Sequence, residues 1–549
     1  MASEFMTGSA DVDSPSVMQD GTSSMAARRF IPIIDLFAGP GGLGEGFSAL
    51  ANSAGEREFR IALSVEKDEV ACQTLKLRAI RRHLLDAGGL DPYYSLLRGE
   101  IDRATFDALP LVRESALEAD SEVINEELGK CAAASLDARI RKAIGGATDW
   151  ILIGGPPCQA YSLAGRARRT NDKAFEADEK HFLYREYIRI IKVHAPPVFV
   201  MENVKGLLSS HHGGVPMFSR ICGDLANPAR GLSYEIRSLV MRDIGVGLNP
   251  DDYIIESERF GIPQTRHRVI LLGVRSDLAH KESGLLTESG RVSVKQVLGG
   301  LPRIRSRLSR GNDSVAAWHQ VVRDASSMVR GWGATGEKRL IATMNTAARA
   351  ASDLDSTGAP FITKRGLLTG TPKELTDWLG VPGLGGAIQH EGRGHMATDI
   401  ARYLFAASFA QEFGYSPNLN VFPGSLLPNH ENARDLIDQP APFLDRFRVQ
   451  CAERPSTTVV SHIAKDGHYY IHYDPSQCRS LTVREAARLQ TFPDDYFFEG
   501  NRTQQYAQVG NAVPPLLAKR IAEVVHRLIR GQSAAERNHR FVPAGLSAA

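Results

Sequence analysis

Short apolar runs alternate with amphipathic stretches between Phe30 and Gly273. The runs predict five strands, at Ile31–Phe37, Phe59–Val65, Trp150–Ile153, Val198–Met201 and Val269–Val274. Before the fourth run, apolar residues recur at helical spacing, at Leu183, Tyr187, Ile190 and Ile191. Strands that alternate with helices in this way are typical of an α/β fold with a parallel, doubly wound sheet.

The alternation stops near Pro302 and returns only at the end of the chain. Residues 303–454 are rich in Gly, Ser and Arg without a clean period, which indicates a second domain or a long insertion of mixed structure. Near the C-terminus one helix face is predicted by Leu517, Ile521, Val524, Val525 and Leu528. Pro515 suits its first turn and Gly531 its end. Residues 1–28 have a disordered composition, and the first five are interpreted as a cloning remnant before Met6.

The first strand leads into a glycine-rich loop between Asp35 and Gly44. Glycines let the backbone turn tightly into a helix and approach a ligand closely. Alone, such a loop is as often a plain turn. Glu66 ends the next strand, where a Rossmann-like fold places a ribose-binding carboxylate, so the pair favours a nucleotide-type pocket. The loop lacks the G-x-G-x-x-G spacing, which counts against a dinucleotide.

The third strand ends in the turn Gly154-Gly155-Pro156-Pro157-Cys158. A free thiol has a pKa near ~8.5, so a catalytic cysteine needs a site that favours its anion. Most cysteines are instead buried and inert. The position of Cys158 favours a nucleophile, because α/β enzymes bind ligands at the carboxyl ends of strands.

Two further strands carry charged residues at their ends. Glu202 follows Val198–Met201, and a carboxyl beside an apolar strand is partly desolvated and more easily protonated. It could then donate a proton to a ring nitrogen, although a helix-capping acid is the alternative. Arg266 and Arg268 share one face of a strand and could grip a carbonyl oxygen and phosphates. Surface salt bridges are the alternative for these arginines.

Composition narrows the class of protein. With 549 residues, 43% hydrophobic and 23% charged, the chain is predicted to be globular with two or more domains. The net charge of +2 neither requires nor excludes nucleic acid, so a basic face would be local, and a solvated loop is the alternative. The six cysteines include no C-x-x-C pair, which disfavours a zinc site and indicates a reduced cytosolic protein. No apolar run reaches the ~18 residues that would span a bilayer.

Six ordered segments together resemble the DNA (cytosine-5) methyltransferase family. They are Asp35–Gly42, Gly155–Ser162, Glu202–Val204, Gln264–Arg268, Leu481–Pro493 and Gln508–Pro515. The resemblance covers about 30–302 and 454–529. It implies a Rossmann-like catalytic domain that uses S-adenosylmethionine at 29–302 and a mixed target-recognition domain at 303–502. Residues 481–493 would brace that domain, 503–532 would return to the catalytic domain, and 533–549 would form a tail.

The resemblance also implies a cofactor pocket and no metal. Its expected residues are Phe37, Gly39, Pro40, Gly41, Gly42, Glu66, Lys67, Glu100, Ile101, Pro156, Asn511 and Val513. Phe37 would lie by the adenine, Glu66 would bind the ribose hydroxyls, and Pro156 would cover the cofactor. The family's usual Gly-Asp-Ile at the adenine amino group corresponds here to Gly99-Glu100-Ile101 as the candidate.

The implied reaction takes place on a cytosine flipped out of duplex DNA. Cys158 would attack C6, and Glu202 would hold and protonate N3, so that C5 becomes nucleophilic enough to take the methyl group. Arg268, helped by Arg266, would hold O2. Gln159 and Ser162 would contact the DNA near the gap that the flipped cytosine leaves. Arg166, Arg168 and Arg169 would contact phosphates.

The leading prediction is therefore an active, sequence-specific bacterial DNA methyltransferase. It would be a cytoplasmic, nucleoid-associated monomer that acts on double-stranded DNA, reads bases in the major groove, and serves restriction-modification or phage defence with cognate partner proteins. Methylation of tRNA is an alternative that the long recognition region and Leu207-Leu208 disfavour. A catalytically inactive DNA-binding regulator is disfavoured because Cys158 and Glu202 are both present. Arg484 and Glu485 are expected to be structural.

Overall fold

A computed structural model describes residues 30–157, 183–212, 214–363, 366, 368–428 and 444–531. Its strands are, in chain order, β1 (Ile31–Leu36), β2 (Phe59–Glu66), β3 (Val123–Asn125), β4 (Ile151–Gly154), β5 (Val198–Val204), β6 (His211–His212), β7 (Val215–Pro216), β8 (Tyr234–Arg237), β9 (Ile254–Glu256), β10 (Gln264–Thr265), β11 (His267–Arg275), β12 (Arg307–Leu308), β13 (Gly358–Ile362), β14 (Ala387–Glu391), β15 (Gly394–His395) and β16 (Ser456–Thr457).

The helices are, in chain order, α1 (Gly42–Ser48), α2 (Glu69–Asp86), α3 (Asp91–Arg98), α4 (Arg103–Ala108), α5 (Pro110–Glu122), α6 (Ala133–Ile144), α7 (Leu183–His194), α8 (Met217–Ala226), α9 (Val294–Leu298), α10 (Val315–Ala325), α11 (Glu337–Ala350), α12 (Lys373–Leu379), α13 (Ala397–Phe413), α14 (Val483–Leu489), α15 (Arg502–Asn511) and α16 (Pro515–Arg530). Short 3-10 turns connect several of them.

The central sheet has the strand order β3-β2-β1-β4-β5-β11-β8, with β9 paired to β11. The five strands predicted from the sequence are all present, and the α/β class is confirmed. The prediction of a parallel sheet is correct for β1 to β5 but wrong for β11, which runs antiparallel to β5, β8 and β9. Strand β11 lies between β5 and β8, and it crosses the sheet in the direction opposite to both. An apolar run carries no information about direction.

Alternate residues of the strands pack on opposite faces of this sheet. Ile33, Val200 and Ile270 belong to the cluster shared with α1, α14 and α16. Ile34 and Phe199 belong to the cluster under α6, α7 and α8. Both faces are therefore covered, and only the ends of the strands remain available for a ligand.

The region after Pro302 contains more regular structure than its sequence indicated. Helices α10, α11 and α13 form an apolar cluster of their own, around Trp318, Met344, Tyr403 and Phe405. Helix α13 is buried on most of its surface, so it lacks the polar stripe that makes a helical period visible in sequence.

The C-terminal helix agrees with its prediction. Helix α16 begins at Pro515 and ends before Gly531, whose φ of 69° is left-handed. It packs closely on α1, since a Cβ at Gly46 would lie 2.2 Å from the carbonyl oxygen of Pro515. Within the described ranges, no helix is long and apolar enough to cross a membrane.

Candidate functional site

The glycine loop turns sharply at the carboxyl end of β1. Phe37, Gly39 and Gly41 all adopt positive φ, at 55°, 56° and 90°. A Cβ at Gly42 would lie 2.2 Å from the carbonyl oxygen of Val513, so only glycine allows the segment after α15 to approach this closely. The fold thus brings together the loop and the 511–513 segment, which are far apart in sequence.

Glu66 organises the neighbouring strand end. Its Oε2 accepts the Gly39 N–H at 2.8 Å, and its Oε1 accepts the N–H groups of Lys67 and Asp68, each at 2.9 Å. A carboxylate has about four acceptor positions, so capacity for hydroxyl donors remains. A Cβ at Gly39 would meet no atom within 4 Å, so open space adjoins the loop beside this carboxylate. These features fit a ribose and its attached cofactor.

Asp35 lies buried beneath the loop. Burial, together with the nearby charge of Glu66, raises the pKa of Asp35 to about 8. The Asp35 carboxyl is therefore mainly protonated at neutral pH, while Glu66 provides negative charge at the edge of the sheet.

The two residues expected from sequence at the adenine do not follow a strand, and their contact with the cofactor stays a prediction. Glu100 follows helix α3 rather than a strand, and its carboxylate is exposed and paired with Arg98 at 2.6 Å. Ile101 packs in the apolar cluster of the surrounding helices. The strand beside Glu66 is β3, where Asn125 pairs in register with Glu66 and donates to its carbonyl oxygen at 3.1 Å.

Asn125 was not among the sequence candidates, because its strand is only three residues long and follows four helices. The signal in the sequence was Val123-Ile124, an apolar pair followed by a polar residue. A run of two residues is too short to show a period.

Glu202 and Arg268 meet at the ends of β5 and β11. Arg268 Nε lies 2.9 Å from Glu202 Oε1, with 13% and 14% of the two side chains exposed. Burial lowers the pKa of Arg268, and the charge of Glu202 opposes that effect. The turn after β4 reaches the same place, because a Cβ at Gly155 would lie 2.9 Å from Glu202 Oε2.

Arg266 occupies a different environment from the one expected. It lies between β10 and β11, where its Nη1 donates to the carbonyl oxygens of Val459 at 2.8 Å and Gly510 at 3.4 Å. Burial lowers the pKa of Arg266 well below its usual range, and the charge of Arg268 adds to this. Arg266 thereby connects the segment around Val459 and helix α15 to the sheet edge where Glu202 and Arg268 meet, which we call the catalytic edge. Its contact with a base stays a prediction.

The predicted nucleophile and DNA contacts lie in residues 158–182, outside the described residues; they are Cys158, Gln159, Ser162, Arg166, Arg168 and Arg169. Pro156, which is described, is buried two residues before Cys158. The turn that leads to the thiol is therefore placed beside Glu202, although the thiol itself is not described.

The five other cysteines are unsuited to nucleophilic attack. Burial raises the pKa of Cys72 to about 11 and of Cys222 to about 12, and it also raises the pKa of Cys131, Cys451 and Cys478. None of these five is in a disulfide. In the described part of the chain, no group of three or more His, Cys, Asp or Glu side chains could hold a metal ion.

A groove of about 1180 Å³ opens next to Thr265, between the sheet edge and the second region. Its lining includes three basic side chains and two acidic ones, Arg291, Lys295, Arg454, Glu258 and Glu453. Since Lys295 lies 3.4 Å from Glu453, the groove combines charges of both signs and does not form a uniformly basic surface.

The segment 481–493 contains a buried network of charges. Arg484 donates to the carbonyl oxygens of Ile388, Pro493 and Tyr496, at 3.2, 3.1 and 2.6 Å. Glu485 binds Arg479 through both oxygens, each at 2.6 Å. These contacts connect β14 to the C-terminal part of the chain and indicate a structural role.

Comparisons with known proteins agree with this arrangement. Residues 137–527 match the family described as C-5 cytosine-specific DNA methylase. The chain is 32% identical to the type II methyltransferase M.Bpa9945I of Bacillus paralicheniformis, across 91% of this chain and 99% of that protein. It is 24% identical to the type II methyltransferase M.AgeI of Thalassovita gelatinovora, across 90% and 98% of the two chains. It is 28% identical to the DNA (cytosine-5-)-methyltransferase M.ApeKI of Aeropyrum pernix, across 69% and 81%.

The family match spans more than half of the sequence, and the relative from Bacillus paralicheniformis aligns over almost its full length. The sheet edge that carries Glu66, Glu202 and Arg268 lies within that alignment of nearly complete chains. The chain belongs to the C-5 cytosine-specific DNA methylase family and is a DNA (cytosine-5-)-methyltransferase.

Proposed function

We propose that this methyltransferase modifies cytosine in a specific sequence of duplex DNA through a covalent bond between Cys158 and C6 of a flipped-out base. The observation that carries the proposal is the Glu202–Arg268 pair beside Gly155. A carboxyl group, a guanidinium group and the turn that leads to the Cys158 thiol therefore lie together at one edge of the sheet. The relatives named above are DNA methyltransferases, so the alternative of tRNA methylation is not favoured.

Each residue has a defined task in this proposal. Attack by the Cys158 thiolate on C6 forms a C–S bond and pushes electrons into the ring, towards N3 and C5. Glu202 delivers a proton to N3, and Arg268 holds O2, so the developing negative charge is neutralised. After methylation a water molecule takes the proton from C5, the C–S bond breaks to release the thiolate, and N3 returns its proton to Glu202. Arg268 also keeps Glu202 oriented, because the two side chains are already paired.

The family implies use of S-adenosylmethionine, which supplies an electrophilic methyl group. The residues proposed to hold it are Phe37 and the glycine loop, Glu66 for the ribose and Pro156 as a cover, with Asn125 replacing Glu100 near the adenine. The hydrogen bonds that fix Glu66 and the open space at Gly39 support this assignment. The segment Asn511–Val513 would close the pocket, since Val513 contacts the loop at Gly42.

The remaining parts of the proposal concern the substrate and its setting. Residues 303–502 would read the target sequence, and Arg166, Arg168 and Arg169 would bind phosphates. The type II methyltransferases among the relatives support a role in restriction-modification in a bacterial cell, on nucleoid DNA, with a cognate nuclease or defence protein. We propose that the enzyme acts as a monomer.

The decisive test is transfer of a tritiated methyl group to duplex DNA by the wild type, by Cys158→Ala and by Cys222→Ala. We expect the first variant to lose transfer and the second, which lacks a half-buried thiol on helix α8 outside the site, to retain it. DNA with 5-fluorocytosine at the target should trap a covalent adduct with the wild type only, because fluorine cannot leave as a proton does. Undiminished transfer by Cys158→Ala, or no adduct with the wild type, would refute the covalent mechanism. Bisulfite sequencing of DNA from expressing cells would map the target.

A further inference from the structure

An ordered loop with an apolar tip projects from the catalytic edge between β8 and β9. Ile244 and Val246 are 84% and 85% exposed, and Met241 is 48% exposed. Three of the ten large hydrophobic side chains exposed in the described residues therefore lie within six positions. Exposure of single apolar residues is ordinary, but a cluster of them indicates a binding surface.

The base of this loop is firmly anchored. Leu239 is buried in the cluster on one face of the sheet, and Leu248 packs against the cluster on the other. The Ser238 hydroxyl donates to the carbonyl oxygen of Asp252 at 2.5 Å and accepts the N–H of Met241 at 3.0 Å. The exposed tip is therefore a short segment whose two ends are both held by packing and hydrogen bonds.

The tip itself is held in a tight turn. Asp243 Oδ1 accepts the N–H groups of Gly245 at 2.8 Å and Gly247 at 3.1 Å. Both glycines adopt left-handed φ values, of 93° and 79°. This turn keeps Ile244 and Val246 directed away from the protein, because collapse onto the surface would break the bonds to Asp243.

The loop lies on the side where the substrate must approach. Strand β8 runs parallel to β5, since each is antiparallel to β11, so the loop leaves the sheet at the edge that carries Glu202. Strand β9 pairs with the start of β11, with Ile255 opposite Arg268. One strand, β11, lies between β5 and β8, so the two are roughly 10 Å apart at about 4.8 Å per strand spacing. This distance is smaller than the ~12 Å width of one groove of a DNA duplex. A duplex that delivers a base to Glu202 would therefore extend over this loop.

We propose that the tip formed by Ile244 and Val246 contacts the duplex beside the flipped-out base as an apolar wedge. This inference rests on the proposed function, because it needs DNA at the catalytic edge. Proteins that kink DNA insert isoleucine and similar side chains between base steps from the minor groove. The tip belongs to the part of the chain that carries Glu202 and Arg268, since it connects two strands that flank or pair with β11. Insertion would support the gap from which the cytosine is removed. Arg242 at the same tip lies 3.6 Å from Glu282, and because both side chains are exposed it could exchange that partner for a phosphate.

The test compares a double variant, Ile244→Ser with Val246→Ser, with the control Leu117→Ser. Leu117 is 73% exposed on helix α5, away from this edge, so the control removes similar apolar surface. We expect the double variant to raise KM for linear plasmid DNA at least about tenfold, which is the effect of losing the burial of even one of the two aliphatic side chains. Calorimetric affinity for S-adenosylmethionine and the unfolding midpoint should not change. The conservative variant Ile244→Leu should retain normal KM.

A benzophenone side chain at position 244 identifies what the tip touches. Ultraviolet irradiation with the plasmid DNA should crosslink the enzyme to DNA. Unchanged KM in the double variant would overturn the proposal, as would a crosslink only to added cell protein, which would indicate a protein partner. If the wild type itself transfers no methyl group to DNA, the proposed function fails instead, so the two failures are distinguishable.

Discussion

Substitution Glu485→Gln separates the structural role of the charged segment from a catalytic one. The Glu485 carboxylate is 1% exposed, binds the Arg479 guanidinium through both oxygens and accepts the Thr482 N–H at 2.7 Å. Glutamine still accepts the bond from Thr482, because a capping box works with either residue. The substitution therefore removes the charge and leaves the start of helix α14 intact.

The expected loss follows from the burial of the pair. Arg479 is 0% exposed, so its charge cannot be solvated once Glu485 is neutral. Breaking a buried pair by neutralising one partner destabilises a protein by about 3–5 kcal/mol. The matched control is Glu453→Gln, whose carboxylate is 76% exposed and lies 3.4 Å from Lys295. Neutralising an exposed partner should change stability by no more than about 1 kcal/mol.

Acid should act on the same network. The Arg479 guanidinium holds the pKa of Glu485 below its usual value of 4.5, so its ionised form stabilises the fold above that pH, and the contribution is lost as pH falls towards the folded pKa. Burial lowers the pKa of His472 and His390 from 6.5 to about 4. Between pH 6.5 and 4 these two histidines are therefore protonated in the unfolded chain but neutral in the folded protein. The free energy of unfolding falls as the pH is lowered across that range. Below pH 4.5 the fall should be shallower in Glu485→Gln.

Urea unfolding, followed by tryptophan fluorescence across this pH range, measures both effects. Trp378 is a suitable reporter, since its Nε1 donates to the carbonyl oxygen of Thr491, next to the segment, at 2.6 Å. Methyl transfer is measured in parallel, below the unfolding transition. A Glu485→Gln protein as stable as the wild type but inactive would show that the carboxylate acts in catalysis, and the structural reasoning would be refuted.

Two further predictions concern the glycine loop. The Tyr496 hydroxyl donates to the buried carbonyl oxygen of Pro40, so Tyr496→Phe should cost about 1–2 kcal/mol and raise KM for S-adenosylmethionine more than it lowers kcat. An unchanged KM for the cofactor would show that this bond does not position the loop. Gly42→Ala would force apart the loop and Val513, whose carbonyl oxygen is 2.2 Å from the new Cβ, and a displacement near 1 Å should lower turnover by about 100-fold. Gly223→Ala, with no atom within 4 Å of its Cβ, is the control, and equal activity of the two variants would contradict the steric explanation.

The strands, the motifs at their ends and the C-terminal helix were predictable because their signals are local. Apolar runs located β1, β2, β4, β5 and β11, and helical spacing located α7 and α16. The motif residues Glu66 and Glu202 follow directly from strand ends, so their position at one edge could be inferred without coordinates.

Other features depend on contacts between residues that are distant in sequence. The direction of β11 is set by which strands flank it, and Arg266 is directed into the fold by the carbonyl groups of Val459 and Gly510, about two hundred residues later. Asn125 was obscured because its strand is short, and Glu100 resembled a motif although a helix precedes it. Periodicity reports which side of an element is buried but not which partner buries it. The pairing of Glu202 with Arg268, and the exposure of Ile244 and Val246 at the same edge, therefore emerge only when the chain is folded.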